Sequence, residues 1–355
     1  ANGTAGEYLR RRSSRMLRHR PGASVELRLG DRAFYEAFRP HGDILERLRA
    51  LVLQSRGAAQ LLELSPRTHE GRSLRAVRLR GAGWRPGMPR ALFTYMLHAR
   101  EWMTAMAGTY AVERMIEDAA ADASLLENLE VTFVPISNPD GFVYSAEQAR
   151  FWRKNRRPTP SSQCTGVDLN RNFEYAWSDG LDGDLAGSAT SAVLACQEVY
   201  PGPSPASEPE TQALQSLVGE APVTVSVDFH SYGGYILGPW SYTTIRHPRS
   251  YEIHELGRSM QSAIQADNGT QYEFCTGNKC LYPVPGNLAD YGSSTGALGF
   301  TIEMRPALRH LLGMHHFSPP PEQILPSARE NYQAVRAALR FARESLGRKI
   351  DRSIY

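Results

Sequence analysis

The sequence predicts an α/β fold. Short apolar runs bounded by turn residues have the length of buried strands, and stretches with helical periodicity separate most of them. A length of 355 residues with 41% hydrophobic side chains allows one large domain or two ordinary ones, and no Pro- or Ser-rich linker divides the chain after residue 31. We therefore expect a single large domain of the α/β class.

Composition excludes several classes of protein. The 40 Lys and Arg against 37 Asp and Glu leave a formal net charge of +3, so no global charge favours nucleic acid or an anionic membrane as a partner. A charged fraction of 22% beside the apolar content excludes wholesale disorder, collagen and a coiled-coil rod. No stretch approaches the roughly 20 apolar residues of a spanning helix, so we expect no membrane span.

Residues 1–31 differ from the rest of the chain. They contain few large apolar side chains, and arginines crowd together at positions 10, 11, 12, 15, 18 and 20. We expect a basic N-terminal arm or the remnant of a leader, with a binding surface as the alternative. The folded domain is expected at 32–355.

The elements of this domain follow in order. Asp43 and Glu46 have the spacing of a capping box, and the apolar stripe from Ile44 to Val52 predicts the first helix. Strands are predicted at 74–79, 91–97, 131–136, 223–229 and 299–302. Further helices are predicted at 101–116, at 209–218 after a Ser207 cap, at 251–265, and at 327–345 with Ser327 and Glu330 as a capping box.

Ligands of α/β sheets bind where strands end, and polar side chains stand at those points here. His98 and Glu101 follow the strand at 91–97, and His230 follows the strand at 223–229. Alone, the H-x-x-E spacing fits a solvated helix start, and a single His fits a hydrogen-bonded core residue. Together, two His and one Glu make a catalytic zinc set, in which a water of pKa about 7 takes the fourth position.

An acidic side chain, Glu303, interrupts the apolar strand near 300–305. A carboxylate buried in such a strand is costly unless it has a role. The alternative is a surface-facing residue on an edge strand.

The chain has 4 Cys, at positions 164, 196, 275 and 280, and four cysteines allow three pairings. Cys275 and Cys280 flank a turn-prone tetrapeptide, which favours a small disulfide-closed loop. Sequons at Asn2 and Asn268 are compatible with secretion. These features favour an oxidising, extracellular compartment.

Several linked motifs carry a resemblance to a known family. They are His-Ala-Arg-Glu-Trp at 98–102, Asn-Pro-Asp-Gly-Phe at 138–142, Phe-Trp-Arg-Lys at 151–154, Gly-Val-Asp-Leu-Asn-Arg-Asn-Phe at 166–173, Ser-Glu-Pro-Glu at 207–210, Asp-Phe-His-Ser-Tyr at 228–232 and Phe-Thr-Ile-Glu-Met-Arg at 300–305. In this order they resemble zinc metallocarboxypeptidases of the pancreatic carboxypeptidase A and B family. The similarity runs from about residue 33 to the C-terminal helix, so 32–355 is expected to be the catalytic domain.

The resemblance implies a fold and a catalytic centre. The fold is a mixed, mostly eight-stranded twisted sheet with helices on both faces, in a secreted monomer. One Zn²⁺ per chain is held by His98, Glu101 and His230. Glu303 is the general base for the zinc-bound water, and Arg153 stabilises the oxyanion.

The resemblance also implies a grip on the substrate. Asn170 and Arg171 anchor the terminal carboxylate, because a guanidinium donates two parallel hydrogen bonds. Tyr282 is the mobile tyrosine that covers the terminus, and Arg100 is a secondary cationic contact. The bond between Ser231 and Tyr232, which also belong to the substrate site, is expected to be cis, and Cys164 is expected to pair with Cys196.

Specificity depends on the pocket that receives the last side chain. Counting from Tyr282 places Ala289 where relatives that release Lys or Arg have an Asp, and Ser241 and Thr301 are small and uncharged. An apolar or aromatic C-terminal residue is therefore expected. A shifted alignment would instead place Asp290 in the pocket and reverse the preference.

Two other functions stay open at this point. One is a catalytically silent extracellular binding module, although no residue of the expected centre is missing from the sequence. The other keeps the enzyme but moves it to side-chain-linked glutamate or cell-wall peptides. The expected partners are peptide or protein C-termini, with a proteinaceous inhibitor or a removed pro-segment as further candidates.

Overall fold

The computed structural model describes residues 32–159, 164–177, 179, 192–307 and 314–345. The predicted basic arm at 1–31 lies outside the described residues. The extent of the two predicted segments, arm and domain, stays a prediction.

One mixed sheet forms the centre of the fold. Within the described residues its eight strands are β1 (Ala59–Glu63), β2 (Arg75–Arg80), β3 (Arg90–Tyr95), β4 (Glu130–Ile136), β5 (Val225–Ser231), β6 (Tyr235–Gly238), β7 (Glu273–Thr276) and β8 (Leu298–Met304). Their order across the sheet is β1-β2-β4-β3-β5-β8-β6-β7. The central strands β4, β3, β5 and β8 are parallel neighbours, while β1, β2 and β6 pair in antiparallel fashion with β2, β4 and β8. The predicted α/β class is thus confirmed.

Helices cover both faces of the sheet. Those of the described ranges are α1 (His41–Gln54), α2 (Trp102–Ala121), α3 (Pro139–Glu147), α4 (Ala192–Ala195), α5 (Pro209–Gly219), α6 (Ser250–Asn268), α7 (Gly277–Cys280), α8 (Leu288–Ser294) and α9 (Ile324–Glu344). One apolar cluster joins the sheet to α1, α2, α6 and α9, and a second joins it to α5 and α8. In β3, Phe93 belongs to the first cluster and Leu92 to the second. Burial on both faces explains why the central strands carry apolar side chains on both sides.

The predicted helix starts are wrong in detail. The first helix begins at His41 with Pro40 as its cap, so the capping box of Asp43 and Glu46 does not form, and Asp43 lies in the first turn. The last helix begins at Ile324, directly after a short 3₁₀ turn. An extended Pro40 sets the entry to α1 without a side-chain hydrogen bond.

Two further caps are wrong for a related reason. The cap of α5 is Glu208, followed by Pro209 in the first turn, and Ser207 donates its hydroxyl to the Glu208 carboxylate. Ser327 and Glu330 lie inside α9, where Glu330 accepts hydrogen bonds from the Arg305 side chain. Glu330 thus contacts a tertiary partner, Arg305, and does not cap the helix.

Covalent and backbone features agree with the sequence. Cys164 pairs with Cys196 and Cys275 with Cys280, with Cα atoms 5.0 Å and 6.3 Å apart. The bond between Ser231 and Tyr232 is cis, as predicted. In the part of the chain that the structure describes, no helix has both the length and the apolarity to cross a membrane.

Candidate active site

The site lies where the central parallel strands end. After β3 the chain turns at Met96, which has a left-handed backbone with φ of 61°, and then reaches His98 and Glu101. β5 ends with His230 and Ser231, and β8 carries Glu303 directly opposite His230 in the parallel register. The carboxyl ends of these strands thus bring the three sequence segments to one edge of the sheet.

Three buried side chains form a compact donor set. The His98 Nδ1 atom lies 2.8 Å from Glu101 Oε1, and His230 Nδ1 lies 3.1 Å from Glu101 Oε2. The two Nδ1 atoms are 2.9 Å apart. One ligand atom from each residue falls within 4.8 Å of the others, so the set could hold a metal ion.

Carboxylates stand behind both imidazoles. His98 Nε2 lies 3.1 Å from Asp168 Oδ1, and His230 Nε2 lies 2.5 Å from Asp228 Oδ2. Zinc-binding histidines usually donate their second ring nitrogen to such an acceptor. The donor types, their convergence and these acceptors fit a catalytic zinc site. Both aspartates were missed from the sequence, although each lies inside a motif that was singled out.

The electrostatics of the donor set favour a cation. Burial alone would raise the pKa of Glu101. His98 and His230 lower this pKa by more than burial raises it, so the carboxylate stays ionised. Its Oε2 also accepts the Ser231 backbone N–H at 3.1 Å. Burial raises the pKa of Glu303 to about 8. A carboxyl group with a raised pKa beside a cavity is suited to exchange protons with a substrate.

Most predicted site residues line one cavity, here called the site cavity. They are His98, Arg153, Asn170, Arg171, Ser241, Tyr282, Thr301 and Glu303. Arg153 is held in place by Asp168, whose Oδ2 accepts from its Nε at 3.1 Å and from its Nη2 at 2.9 Å. The guanidinium therefore reaches the site cavity from a fixed position.

A short 3₁₀ turn, Leu169–Arg171, positions the second arginine. Arg171 donates from Nη1 to the Asn170 carbonyl at 2.9 Å and from Nη2 to the Tyr282 hydroxyl at 3.4 Å. Asn170 accepts the Leu288 N–H at 3.1 Å through its Oδ1. Tyr282 lines the site cavity and is 54% exposed, whereas Asn170 and Arg171 are buried.

Two predicted contacts, Arg100 and Tyr232, do not line the site cavity. Arg100 donates to Glu198 at 2.7 Å and stacks on the Phe317 ring at 4.6 Å. Tyr232 packs edge-on against the rings of His316 and Phe317, with centroids 5.2 Å and 5.0 Å apart. Neither side chain is among those that line the site cavity, so their roles as direct substrate contacts stay predictions.

The pocket position predicted at Ala289 stays a prediction. Ala289 is buried in α8 and is not among the residues that line the site cavity, and its carbonyl lies close to Gly299. Asp290 does not face it either: its oxygens accept the N–H groups of Ser241 at 2.9 Å and Tyr242 at 3.0 Å. Burial raises the pKa of Asp290 to about 6. Asp290, the acid that could have reversed the preference for an apolar C-terminal residue, thus accepts hydrogen bonds from the backbone.

Other side chains, missed from the sequence, complete the lining. Leu237, Leu281 and Val284 give it an apolar part, and Gly277 brings the backbone close. A Cβ at Gly277 would stand 2.1 Å from Ser241 Oγ, so only glycine fits there. A signal for these residues was absent, because β6 and α7 are short and lack a clear periodicity.

Comparison with known proteins agrees with this geometry. The profile of the zinc carboxypeptidase family (Peptidase_M14) matches residues 49–334. The chain is 38% identical over 282 residues to a metallocarboxypeptidase A-like protein of Trichophyton verrucosum. The aligned region covers 77% of this chain and 63% of that relative. This chain is also 31% identical over 318 residues to metallocarboxypeptidase A of Trichophyton rubrum. That aligned region covers 86% of this chain and 71% of the relative.

Solved structures share the architecture. Carboxypeptidase A from Helicoverpa armigera superposes with a TM-score of 0.78 at 25% identity, over 88% of this chain and 76% of that one. Bovine thrombin-activatable fibrinolysis inhibitor, in complex with tick carboxypeptidase inhibitor, gives a TM-score of 0.75 at 24% identity, over 88% of this chain and 99% of that one. The second likeness shows the fold alone. With a profile match over most of its length and a metal-type donor set where the strands end, this chain belongs to the zinc carboxypeptidase family.

Proposed function

We propose that the domain at 32–355 is a zinc-dependent exopeptidase that removes the C-terminal residue of peptides and proteins. The observation that carries this proposal is the His, Glu, His donor set, whose His98 lines the site cavity together with Arg153, Arg171 and Glu303. Zinc, held by His98, Glu101 and His230, supplies Lewis acidity and makes water nucleophilic at neutral pH. The family assignment supports the same metal.

Glu303 is the proposed general base. It is partly exposed to the site cavity, while burial raises its pKa to about 8. Glu303 takes a proton from the attacking water and passes it to the amine that leaves, so the peptide bond is hydrolysed without net change in protons on the enzyme.

Arg153 is the proposed stabiliser of the oxyanion. Its guanidinium is buried beside the site cavity and is oriented by Asp168 before any substrate arrives. A positive group that is already in position lowers the barrier most where negative charge develops.

Arg171 and Asn170 are the proposed anchor for the free terminal carboxylate. Arg171 donates from one nitrogen to the Asn170 carbonyl and from another to the exposed Tyr282, which is proposed to cover a bound terminus. A fixed distance between this anchor and the donor set selects the last peptide bond of a chain. A substrate whose terminus is amidated would lose the anchoring charge.

The proposed preference is for an apolar or aromatic C-terminal residue. Leu237, Leu281 and Val284 supply apolar surface, and Glu303 is the acidic side chain among the described residues that line the site cavity. Asp290 is already saturated by backbone N–H groups. A Lys or Arg side chain would therefore be desolvated without a partner.

The setting of the enzyme is also a proposal. Two disulfides fit secretion into an oxidising compartment, and the expected state is a monomer. A proteinaceous inhibitor is a candidate partner, since one solved protein of this fold is bound to such an inhibitor. The basic residues 1–31 are proposed to be an arm or leader remnant outside the catalytic domain.

One experiment tests the core of the proposal. Peptides that end in Phe are incubated with enzyme before and after exhaustive chelation, and then after addition of zinc. Chelation should abolish release of Phe, and zinc should restore it. Full activity after chelation, or cleavage of the amidated peptide at the same rate, would contradict the proposal.

A second comparison tests the preference. Matched peptides that end in Phe and in Arg should differ clearly in kcat/KM, in favour of Phe. A preference for Arg would show that an acid reaches the pocket after all.

A further inference from the structure

Beneath the donor set lies Asp228, the buried aspartate behind His230. Asp228 is on β5, is 1% exposed, and pairs across the sheet with Thr94 on one side and Thr301 on the other. Thr301 lines the site cavity, so Asp228 lies just under its wall. Because side chains alternate along a strand, Asp228 and His230 point to the same face of the sheet.

Both oxygens of Asp228 are engaged. Oδ1 accepts the Thr94 hydroxyl at 2.7 Å, and Oδ2 lies 2.5 Å from His230 Nε2. An ionised carboxylate only accepts hydrogen bonds. The His230 Nε2 therefore carries the hydrogen of this contact and donates it.

The opposite ring nitrogen faces the metal site. His230 Nδ1 lies 3.1 Å from Glu101 Oε2 and 2.9 Å from His98 Nδ1. A neutral imidazole has one N–H and one lone pair. With the hydrogen on Nε2, the lone pair of Nδ1 is directed at the donor set.

The same assignment affects Asn170. Its Nδ2 lies 3.2 Å from His230 Nε2, while its Oδ1 is held by the Leu288 N–H. Two N–H groups cannot donate to each other. When Nε2 donates to Asp228, the Asn170 amide has no acceptor there and keeps its N–H groups for a ligand in the site cavity.

We propose that Asp228 is a positioning residue that fixes the tautomer of His230, so that Nδ1 is available to the metal and the Asn170 amide is available to the substrate carboxylate. Thr94 in turn fixes Asp228. This inference rests on the proposed function, because it takes His230 as a zinc ligand.

Asp228 differs from the aspartate behind the other imidazole in a way that makes it testable. Asp168 contacts His98, but it also orients Arg153 and accepts the Asn170 backbone N–H. Its removal would disturb the whole site. Asp228 contacts His230 and Thr94, so its substitution acts on one ligand.

The test measures zinc release from the holoenzyme into excess chelator for wild type and Asp228→Asn. The variant should release zinc about 10 to 100 times faster, the usual effect of losing such a partner. With zinc in excess, KM for a peptide ending in Phe should also rise, because the Asn170 amide is drawn to His230. Release and KM at wild-type values would overturn the proposal.

A matched control separates this effect from a general loss of stability. Asp140 is also fully buried and also accepts a threonine hydroxyl, that of Thr68 at 2.8 Å, but it contacts neither His98 nor His230. Asp140→Asn should lower the melting temperature while zinc release stays at the wild-type rate. Equal acceleration in both variants would refute a specific role for Asp228.

Two outcomes are kept distinct. If the wild-type protein holds no zinc and works without it, the proposed function fails. If the wild type depends on zinc and Asp228→Asn does not change its release, only the role of Asp228 fails. Should Asp228→Asn not fold, Thr94→Val removes the second bond of Asp228, and it should accelerate release by a smaller factor; an unchanged rate would again overturn the proposal.

Discussion

Two carboxyl groups, Glu303 and Glu210, have similarly raised pKa values but different surroundings. Burial raises the pKa of each to about 8. Glu303 lines the site cavity and keeps partial exposure to it. Glu210 is fully buried at the start of α5, where Asn155 Nδ2 donates to it at 3.1 Å and to Glu208 at 2.8 Å.

This difference shows that a raised carboxyl pKa indicates burial and does not by itself indicate a catalytic role. A proton on Glu303 has a route to a bound molecule, whereas a proton on Glu210 reaches only protein atoms. Access to a cavity that also holds cationic and metal-type groups is therefore the better mark of a catalytic acid or base. The predictions below contrast the site with the buried cluster around Glu210.

The largest effect is expected for Glu303→Gln. The substitution keeps size and hydrogen bonding but removes the base, so kcat should fall by about 10² to 10⁴. Glu303 is not one of the proposed ligands, so zinc content should stay at one ion per chain. Steady-state kinetics and metal analysis measure both. Near-normal turnover would mean that the base lies elsewhere.

Arg153 and Arg157, four residues apart in the chain, allow the same contrast between the site cavity and the buried cluster around Glu210. Arg153→Ala removes the proposed oxyanion stabiliser, so kcat should fall by about 10² to 10³. Arg157 instead donates to Glu208 at 2.9 Å in the buried cluster. Arg157→Ala should lower the melting temperature and leave kcat nearly unchanged. A larger kinetic effect for Arg157 would reverse the assignment of the two regions.

Glu210→Gln should change stability and not turnover. The folded pKa of Glu210 is about 8, above the ordinary value of a glutamate, so folding favours its protonated form. The contribution of the protonated Glu210 to the free energy of unfolding is fully present below pH about 4.5 and is lost as the pH rises through 8. Gln mimics the protonated acid at every pH. The variant should therefore be more stable than wild type at pH 9, by a few kcal/mol at about 1.4 per pKa unit, and similar at pH 4.

Denaturant unfolding at several pH values checks this expectation. A Glu210→Gln variant that is less stable than wild type at pH 9 would show that Glu210 is ionised in the fold. Loss of kcat in the same variant would connect the buried cluster to catalysis.

The smallest effect is expected at the rim of the cluster, for His69→Gln. His69 Nε2 lies 3.0 Å from Glu208, and this hydrogen bond raises the pKa of His69. The stabilisation by the charged ring is complete below the unfolded pKa of about 6.5 and fades as the pH rises through the folded value. Gln keeps a donor without the charge. The variant should lose about 1 kcal/mol at pH 5.5 and nothing at pH 9.

The central strands and the donor set were accessible from the sequence because both follow from strong local signals. β3 and β5 are buried along their length, and titratable residues stand at or just after their carboxyl ends. The strands β1, β6 and β7 were not predicted, since they lie toward the edges and span 4 or 5 residues each. Short strands of this kind depend on neighbours that periodicity does not reveal.

Residues whose role depends on tertiary contacts were missed from the sequence. Counting along the chain put Ala289 in the pocket, and this stays a prediction; Gly277 and Val284, which line the site cavity, were missed. Asp168 and Asp228 were missed because their role is visible only beside the imidazoles they contact. Roles of the ligands, base and anchors stay predictions until the experiments above are done.

The pairing of β5 with β8 limits how the length of this chain can vary. Side chains alternate between the faces of a strand, so one residue inserted into β5 before His230 turns every later side chain to the opposite face. His230 would then point into the apolar layer, away from Glu303 on the adjacent strand. Insertions in the connections that follow these strands leave the alternation intact. Length differences among related chains are therefore expected to fall in the connections, while the spacing from Val225 to His230 stays fixed.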